Sequence, residues 1–277
     1  MPLVRQTVHV TRIAVLSLKG GTGKTTVTLG LAGAAAARGR EVLVVDLDPQ
    51  ANATAALGID HPPLTVSDAL ADGRRGIAAD ALVPSTWPVS AGVRPVLVLP
   101  SERSLEHRSS TAPGSSARLS RVLHEVTGSQ TLTLIDCPPT LGELTRNALV
   151  AADAALIVTD PSYFALTGAA QAVEALDIVR TSTNPRLIAV GIVVNRVRSR
   201  STEQVFRLAE LRAAYPDLLL DPVLTERVSV PASQGAGVPI QAWAGAGARD
   251  ISRDFDLLLS AIDSRLTAAR SQPGGFA

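Results

Sequence analysis

The sequence feature that most constrains the fold is the loop Lys-Gly-Gly-Thr-Gly-Lys-Thr-Thr at residues 19–26. It follows a short apolar run of β-forming residues at 12–18. It also opens a run of helix-forming residues at 24–38, which Gly39 closes. A strand, a glycine-rich loop and a helix in this order form the setting that a phosphate-binding loop requires. We therefore predict such a loop, against the alternative of a generic glycine-rich turn before a helix.

The residues of this loop occur in the order that phosphate binding needs. Its three glycines let backbone N–H groups close on phosphate oxygens, and the start of the helix adds its dipole. Lys24 is placed to reach the β and γ phosphates of a nucleotide, and Thr25 to bind Mg²⁺. The predicted nucleotide-binding residues of the loop are Gly20, Gly21, Thr22, Gly23, Lys24, Thr25 and Thr26.

Lysine is absent from the chain outside this loop. Of the 26 basic residues, Lys19 and Lys24 are lysines and all the others are arginines. Two lysines within one eight-residue loop of an arginine-rich chain indicate sites that need a compact ammonium group, which a planar guanidinium does not replace. Chance clustering is the alternative.

Apolar runs and helix-forming runs alternate along the rest of the chain. The apolar runs have the composition of buried strands, and they lie at 41–46, 96–99, 132–135, 154–159 and 187–194. Helices are predicted at 117–126, 140–151, 166–181, 202–214 and 250–269. This alternation predicts an α/β fold with a doubly wound, mainly parallel sheet and helices on both faces. Its ligands are expected beyond the carboxyl ends of the strands.

We expect one domain at residues 1–270, because 277 residues without an internal repeat fit a single large core. Segments rich in Pro, Ser and Gly at 84–95 and 109–116 are predicted loops. Residues 271–277 are predicted to be a disordered tail. The last helix has apolar residues at helical spacing and is expected to dock on the domain. Its acidic residues disfavour the alternative of a helix that lies on a membrane.

Composition narrows the cellular setting. The net charge of +1 means that affinity for nucleic acid has to come from a local patch. The single cysteine, Cys137, excludes a disulfide scaffold, and the first residues lack the pattern of a secretory signal. No apolar run reaches the roughly 18 residues that span a bilayer. We expect a cytoplasmic protein without a membrane partner.

Two acidic motifs follow predicted strands. The sequence Val-Val-Asp-Leu-Asp-Pro-Gln at 44–50 places Asp46 and Asp48 at a strand end, where an ideal strand points both side chains to one side. The sequence Thr-Leu-Ile-Asp-Cys-Pro-Pro-Thr-Leu-Gly at 133–142 places Asp136 at the end of a buried strand. A Walker B carboxylate orders Mg²⁺ from that position. Capping or turn formation is the alternative for Asp46 and Asp48. Cys137 is expected to be a packing residue.

The loop departs from the general pattern G-x-x-x-x-G-K-[ST], because Leu18 stands at the first glycine position and Lys19 follows it. In this form the loop resembles the deviant Walker A motif of the ParA/MinD ATPases, most closely their ParA (Soj-like) members. The resemblance extends over residues 10–268 and includes LGELTRNALVAAD, DPSYFALTGAAQ, GIVVNRV and RVSVPASQGAGVPI. It implies a P-loop ATPase that needs ATP and Mg²⁺ and forms a homodimer with ATP.

The resemblance assigns catalytic and metal-site roles. It implies that Lys19 crosses the dimer interface to the phosphates bound by the partner subunit, where a second cation offsets charge on the transferring oxygens. It implies that Lys24 is catalytic as well and that Asp48 positions the attacking water. The metal-site residues that it implies are Thr25, Asp46 and Asp136.

The resemblance also implies the site of the base. Asn195, at the end of a predicted strand, is placed against adenine, and Pro231 forms part of a wall beside it. A turn residue after a strand is the alternative for Asn195. The chain has no NKxD-type guanine-reading motif, so the resemblance favours ATP over GTP.

An arginine-rich segment at 193–212 carries a local excess of positive charge over Glu203 and Glu210. Because it has no interleaved run of aromatic residues for base stacking, it favours sequence-independent contact with a phosphate backbone. A self-paired, solvated helix face is the alternative. The resemblance adds Arg227 from the later segment. There Leu224, Thr225 and Glu226 replace the Pro-Arg-Asn of many relatives, and the loss of a basic residue weakens the DNA assignment. The candidate DNA-binding residues are Arg196, Arg198, Arg200, Arg207 and Arg227.

Together these features predict a dimerising switch ATPase that binds non-specific DNA, associates with the nucleoid and partitions a chromosome, plasmid or other cargo. A ParB-like or cargo-adaptor partner is expected to stimulate its hydrolysis. One alternative is a MinD-like ATPase that works on a membrane surface. Another is a metabolic enzyme on the same scaffold, such as an ATP-dependent ligase. An iron–sulfur carrier is excluded because one cysteine cannot hold a cluster.

Overall fold

The computed structural model describes residues 11–72, 76–88, 94–108, 115–128, 131–198 and 200–271. Within these residues, seven strands form one sheet in the order β3-β4-β2-β5-β1-β6-β7, and all neighbours are parallel except β3 and β4. The strands are β1 Thr11–Leu16, β2 Val42–Asp46, β3 Val83–Pro84, β4 Leu97–Leu99, β5 Leu132–Asp136, β6 Ala154–Thr159 and β7 Ile188–Val194.

Helices connect the parallel strands and cover both faces of the sheet. In chain order they are α1 Lys24–Ala37, α2 Asn52–Ala56, α3 Val66–Asp72, α4 Ile77–Asp80, α5 Arg118–Val126, α6 Glu143–Ala151, α7 Ala165–Ser182, α8 Thr202–Ala214, α9 Ser229–Gly235 and α10 Ala246–Ser271. Helices α1 and α10 pack on one face, and α3 to α8 pack on the other. The doubly wound α/β fold predicted from the sequence is confirmed.

Strand side chains alternate between the two faces. In β1, Ala14 and Leu16 join the core under α3 to α8, whereas Ile13 and Val15 join the core under α1 and α10. All four are buried, as expected for strands of a parallel sheet with both faces covered. This double burial explains why the strand sequences are almost continuously apolar.

The carboxyl-terminal helix α10 is docked through its apolar face. Its residues Ile251, Phe255, Leu258, Leu259, Ile262 and Leu266 are all buried. The ring of Phe255 lies so close to α1 that a Cβ atom on Gly30 would sit 2.2 Å from it, so only glycine fits there. The predicted docking of this helix is confirmed. No helix in the described part of the chain is long and apolar enough to cross a membrane.

Several short elements differ from the sequence predictions. The predicted loop at 84–95 begins inside β3, an edge strand whose pairing with β4 tolerates Pro84 because an edge position needs no N–H donor. Ser271, assigned to the tail, ends α10. Ser115–Ala117, which joins the end of the second predicted loop to the first residue of the predicted helix at 117–126, forms a short 3₁₀ helix. Residues 89–93, 109–114 and 272–277 of these predicted loops and tail lie outside the described residues.

The packing of α10 on α1 gives a stability prediction. Truncating the buried Phe255 to Ala removes a ring that fills the space beside Gly30, so Phe255→Ala is expected to lower the free energy of unfolding by about 3–5 kcal/mol. Leu257→Ala on the same helix is the control, because Leu257 is 48% exposed. Denaturant unfolding measures both variants, and equal losses would contradict the docked arrangement.

Candidate nucleotide site

The candidate nucleotide site lies at the carboxyl ends of five adjacent strands, β2, β5, β1, β6 and β7, of which all but β6 carry residues predicted from the sequence. The phosphate loop follows β1 at the centre. Asp46 and Asp136 end β2 and β5 on one side, and Asp160 and Asn195 follow β6 and β7 on the other. In a doubly wound sheet, ligands bind beyond this edge where the strand order reverses. The topology therefore brings residues from across the chain into one site.

The phosphate loop borders an open cleft of about 710 Å³. Gly21 and Gly23 have φ values of 82° and 84°, a left-handed conformation that glycine adopts without strain. A Cβ atom on Gly23 would lie 2.2 Å from Asn195 Nδ2, so glycine is also required by packing. Residues 19–26 line this cleft together with Asp48, Gln50, Asn52, Pro139 and Gln234.

Asp136 is the centre of a buried hydrogen-bond network under the loop. Its Oδ1 accepts from Lys24 Nζ at 2.7 Å and from Thr28 Oγ1 at 3.0 Å, and its Oδ2 accepts from Thr25 Oγ1 at 2.7 Å. Burial alone lowers the pKa of Lys24, but the charge and hydrogen bond of Asp136 outweigh it and leave this pKa raised. Lys24 therefore stays charged, and the network ties α1 to the end of β5.

Asp46 and Asp48 occupy different environments although both lie at the end of β2. Asp46 is fully buried and accepts from Asp48 N at 3.1 Å, Thr54 N at 2.8 Å and Thr54 Oγ1 at 2.7 Å. These bonds fix the turn that carries Asp48. Asp48 Oδ2 lies 3.7 Å from Lys24 Nζ and Asp48 lines the cleft. Thus Asp46 anchors the segment and Asp48 faces the space where a nucleotide would bind.

Lys19 points away from the Lys24 network. Its Nζ donates to Asp160 Oδ2 at 2.8 Å and to Ser162 Oγ at 3.1 Å, and its side chain is 44% exposed. Lys19 lines the cleft, so its ammonium group is held at the rim by residues of its own chain.

A second cavity, of about 260 Å³, lies on the β7 side of the loop. Asn195 and Pro231, the predicted base-contacting residues, both line it, and Pro231 comes from α9. Asn195 Nδ2 donates to Thr22 O at 2.8 Å, which joins the end of β7 to the phosphate loop. The two residues that were predicted to hold adenine thus share one cavity beside the loop.

Most of the candidate DNA-binding arginines make ion pairs within the chain. Glu226 pairs with both Arg196 and Arg198. Arg207 pairs with Glu203 at 2.9 Å and Glu210 at 2.7 Å, and Arg227 lies 3.7 Å from Asp250. Arg200 is exposed and shows no ion pair among the described residues. The segment therefore displays less unpaired positive charge than its sequence indicates.

Cys137 is fully buried and free, and burial raises the pKa of its thiol to about 12. A thiol in this state is a packing group and not a nucleophile at neutral pH, as predicted.

Sequence reasoning missed four residues that hold the site together, namely Thr28, Thr54, Asp160 and Ser162. Thr28 follows Lys24 by one helical turn, so its place on the same face of α1 was open to prediction. Asp160 follows a predicted buried strand in the same way as Asp46 and Asp136, and that position was its signal.

The buried Asp46 gives a pH-dependent prediction. Burial, and then the neighbouring charge of Asp136, raise the pKa of Asp46 from 3.8 to about 7. The folded state therefore holds this proton more tightly than the unfolded chain does. The contribution of protonated Asp46 to the free energy of unfolding is full below about pH 4 and is lost as the pH rises towards 7. Without nucleotide or Mg²⁺, the slope of unfolding free energy against pH is expected to be more negative in wild type than in Asp46→Asn. Denaturant titrations from about pH 4 to 7 measure this slope, and parallel slopes would contradict the prediction.

Comparisons with known proteins find relatives of this chain. A family model described as an AAA domain matches residues 10–189. The chain is 35% identical over 239 residues to the chromosome partitioning protein ParA of Caulobacter vibrioides, covering 82% of this chain and 85% of that protein.

Solved structures resemble the fold over almost the whole chain. The crystal structure of cobyrinic acid a,c-diamide synthase from Mycobacterium smegmatis, with bound ATP analogue and magnesium, has a TM-score of 0.77 and 27% identity. It covers 95% of this chain and 99% of that one. The cell division ATPase MinD of Pyrococcus furiosus has a TM-score of 0.72 and 28% identity, covering 92% of this chain and 98% of that one. With a phosphate loop that carries a second lysine, a matching family model and a ParA relative of similar length, the chain belongs to the ParA/MinD family of P-loop ATPases.

Proposed function

We propose that this ATPase is a nucleotide-dependent switch that dimerises with ATP, binds non-specific DNA and positions a chromosome, plasmid or other cargo. The observation that carries the proposal is the placement of two lysines on one cleft, Lys24 buried beneath it and Lys19 at its rim. A single subunit uses the buried lysine for its own nucleotide. The lysine at the rim is available to a second subunit.

The proposed triphosphate site is built from the backbone of the loop. The N–H groups at the start of α1 and the left-handed glycines Gly21 and Gly23 form an anion-binding surface. Lys24 adds a charged donor, and a bound phosphate competes with Asp136 for its ammonium group. Asn195 and Pro231 line the adjoining cavity, whose position beside the loop fits the base.

The donors beside Lys24 fit a magnesium ion. Thr25 Oγ1 and Asp136 Oδ2 are hard oxygen ligands joined at 2.7 Å, and Asp46 stands next to Asp136 in the register of β2 and β5. When bound, Mg²⁺ neutralises charge on the β and γ phosphates. The Mycobacterium smegmatis structure, which contains an ATP analogue and magnesium, supports this assignment. Thr25, Asp46 and Asp136 are therefore the proposed metal-site residues.

Asp48 is proposed to hold the attacking water. Asp48 is 6% exposed, and it lines the cleft. Its carboxylate lies near Lys24 but does not form a short ion pair with it. Asp48 Oδ1 accepts from Gln50 N at 3.0 Å, which sets the orientation of the side chain. A carboxylate held in this way orients a water molecule by accepting its proton in a hydrogen bond.

Lys19 is proposed to complete the active site of a partner subunit. Its exposure and its position at the rim support this role, because an ammonium group that crosses to another subunit has to be accessible. Dimerisation then requires the ion pair of Lys19 with Asp160 to open. The charge of Lys19 stabilises the oxygens that become more negative during phosphoryl transfer.

The proposed DNA surface consists of the candidate arginines of the β7–α8 region together with Arg227. Arg198 supports it with a side chain that is 65% exposed, and Arg200 is an exposed residue. Contacts of this kind recognise the phosphate backbone and not the base sequence. A ParB-like or cargo-adaptor protein is the proposed stimulator of hydrolysis, and association with the nucleoid in the cytoplasm follows from DNA binding.

Two relatives point to other functions on this fold. The Pyrococcus protein is a cell division ATPase, and the Mycobacterium smegmatis protein is a cobyrinic acid a,c-diamide synthase. Membrane binding through α10 is disfavoured because the apolar face of that helix is buried against the domain. Measurement of ATP turnover with and without DNA, and of sedimentation with liposomes, separates these alternatives from the proposed function.

A Lys19 variant tests the dimer. Lys19→Ala is expected to keep ATP binding through Lys24 but to lose ATP-dependent dimerisation and at least about tenfold in hydrolysis rate. Asp160→Asn is the matched variant, because it releases the same lysine without removing it, and it is expected to dimerise at least as readily as wild type. Light scattering and phosphate release measure both. A Lys19→Ala protein that dimerises and hydrolyses ATP normally would rule out the assigned role.

DNA retention tests the cargo-positioning part of the proposal. We expect the protein to bind a duplex of arbitrary sequence when ATP is present, and to lose this binding with ADP or without nucleotide. The logarithm of the association constant should fall by about 0.9 per logarithmic unit of salt concentration for each phosphate neutralised. Arg198→Ala and Arg200→Ala are expected to weaken binding and reduce this slope, whereas Arg180→Ala, on α7 and paired with Asp177, serves as control. Absence of retention with ATP at low salt would refute DNA binding.

A further inference from the structure

Hydrogen bonds from outside the phosphate loop hold several of its carbonyl groups. Ser17 Oγ donates to Lys19 O at 3.2 Å, Asn195 Nδ2 to Thr22 O at 2.8 Å, and Arg196 Nη1 to Gly21 O at 2.7 Å. A planar trans peptide points its carbonyl and the next N–H in opposite directions. A donor that holds the carbonyl of Gly21 therefore also sets the direction of the N–H of Thr22. In the same way, Asn195 sets the direction of the N–H of Gly23.

Arg196 adopts a backbone conformation that is unusual for its residue type. Its φ is 60°, in the left-handed region, which is strained for a residue with a Cβ atom. Surrounding contacts have to offset this cost. The strain lies at the turn after β7 that brings Asn195 and Arg196, two consecutive residues, to two consecutive carbonyls of the loop.

Glu226 holds the other end of the guanidinium group. Val197 N donates to Leu224 O at 2.9 Å and Glu226 N donates to Val197 O at 3.0 Å, so the backbone places Glu226 beside the turn. Glu226 Oε1 accepts from Arg196 Nη2 at 3.3 Å, and Oε2 accepts from Arg198 Nε. Arg196 thus bridges from the phosphate loop to a carboxylate that the backbone fixes on the base side.

We infer that Arg196 is a positioning residue of the nucleotide site, which holds the Gly21 carbonyl so that the N–H of Thr22 faces the phosphates, and that Glu226 orients it. The inference rests on the proposed nucleotide site and gives Arg196 a role in addition to the DNA contact proposed above. Arg196 does not touch the phosphates in this arrangement. It acts through the peptide group between Gly21 and Thr22.

An ordinary surface ion pair does not account for these contacts. The side chains of Arg196 and Glu226 are 50% and 32% exposed, and pairs with this exposure contribute little to stability. The bond to Gly21 O is the one that reaches a functional loop, and it is short. A charged donor on a backbone carbonyl also makes a stronger hydrogen bond than a neutral one.

The test compares ATP affinity and turnover in the full-length protein without DNA. Arg196→Ala is expected to raise the dissociation constant and the KM for ATP about tenfold. We expect kcat to stay within about twofold, because the hydrogen bond from Arg196 to Gly21 O acts in the ground state and the transition state alike. Arg196→Lys is expected to recover part of the affinity, since an ammonium group donates to the same carbonyl. Arg180→Ala removes one side of a surface ion pair on α7 and is the matched control.

The outcomes separate this inference from the proposed function. Wild-type protein that binds no ATP would overturn the proposed nucleotide site itself. If wild type binds ATP and a folded Arg196→Ala binds it equally well, only the role of Arg196 is overturned. Should Arg196→Ala fail to fold, as judged by circular dichroism, Glu226→Gln carries the test. It is expected to weaken ATP binding about threefold, and unchanged affinity would overturn the inference.

Discussion

The buried ion pair between Lys24 and Asp136 is the contact on which the candidate site depends. Two charges removed from water are tolerated only when they are paired and hydrogen-bonded, and here Thr25 and Thr28 complete the bonding of Asp136. The pair joins the first helix to the end of β5, which lies beside β1 in the sheet. The position of the phosphate loop is therefore set by the central strands and not by the loop alone.

The sequence was sufficient for the main elements of the fold because their signals are long or repetitive. Strands such as β6 at Ala154–Thr159 are buried on both faces, so almost every residue is apolar and the ends are easily recognised. Short helices gave no such signal. Helix α2, at Asn52–Ala56, is too short for an apolar period, and the two-residue strand β3 exists only through its pairing with β4. Whether these short elements form is determined by tertiary contacts and not by a local sequence pattern.

The site was predictable to the extent that its residues form contiguous motifs. The loop at 19–26 and the acids that follow β2 and β5 fall into this class. Glu226 does not, because its importance depends on Arg196, which is distant in the chain. Asp160 has the signal of a position after a buried strand, but its pairing with Lys19 is set by the fold. The arginine-rich segment shows the same limit, since counting charges does not reveal that Glu226 neutralises two of them. Sequence patterns identify chemistry within a motif, and the fold determines which charges remain unpaired.

The contact between Lys19 and Asp160 has a consequence for the entropy of assembly. A free lysine side chain loses up to about 2 kcal/mol of rotational freedom when it is immobilised, and an exposed ion pair contributes only about 1 kcal/mol or less. Lys19 is already ordered by Asp160 and Ser162 in the single subunit. In the proposed dimer, part of its immobilisation would therefore have occurred before a partner arrives, while the bond to be exchanged is weak. A weak surface bond at this position would favour rapid transfer of the ammonium group from one carboxylate to another anion.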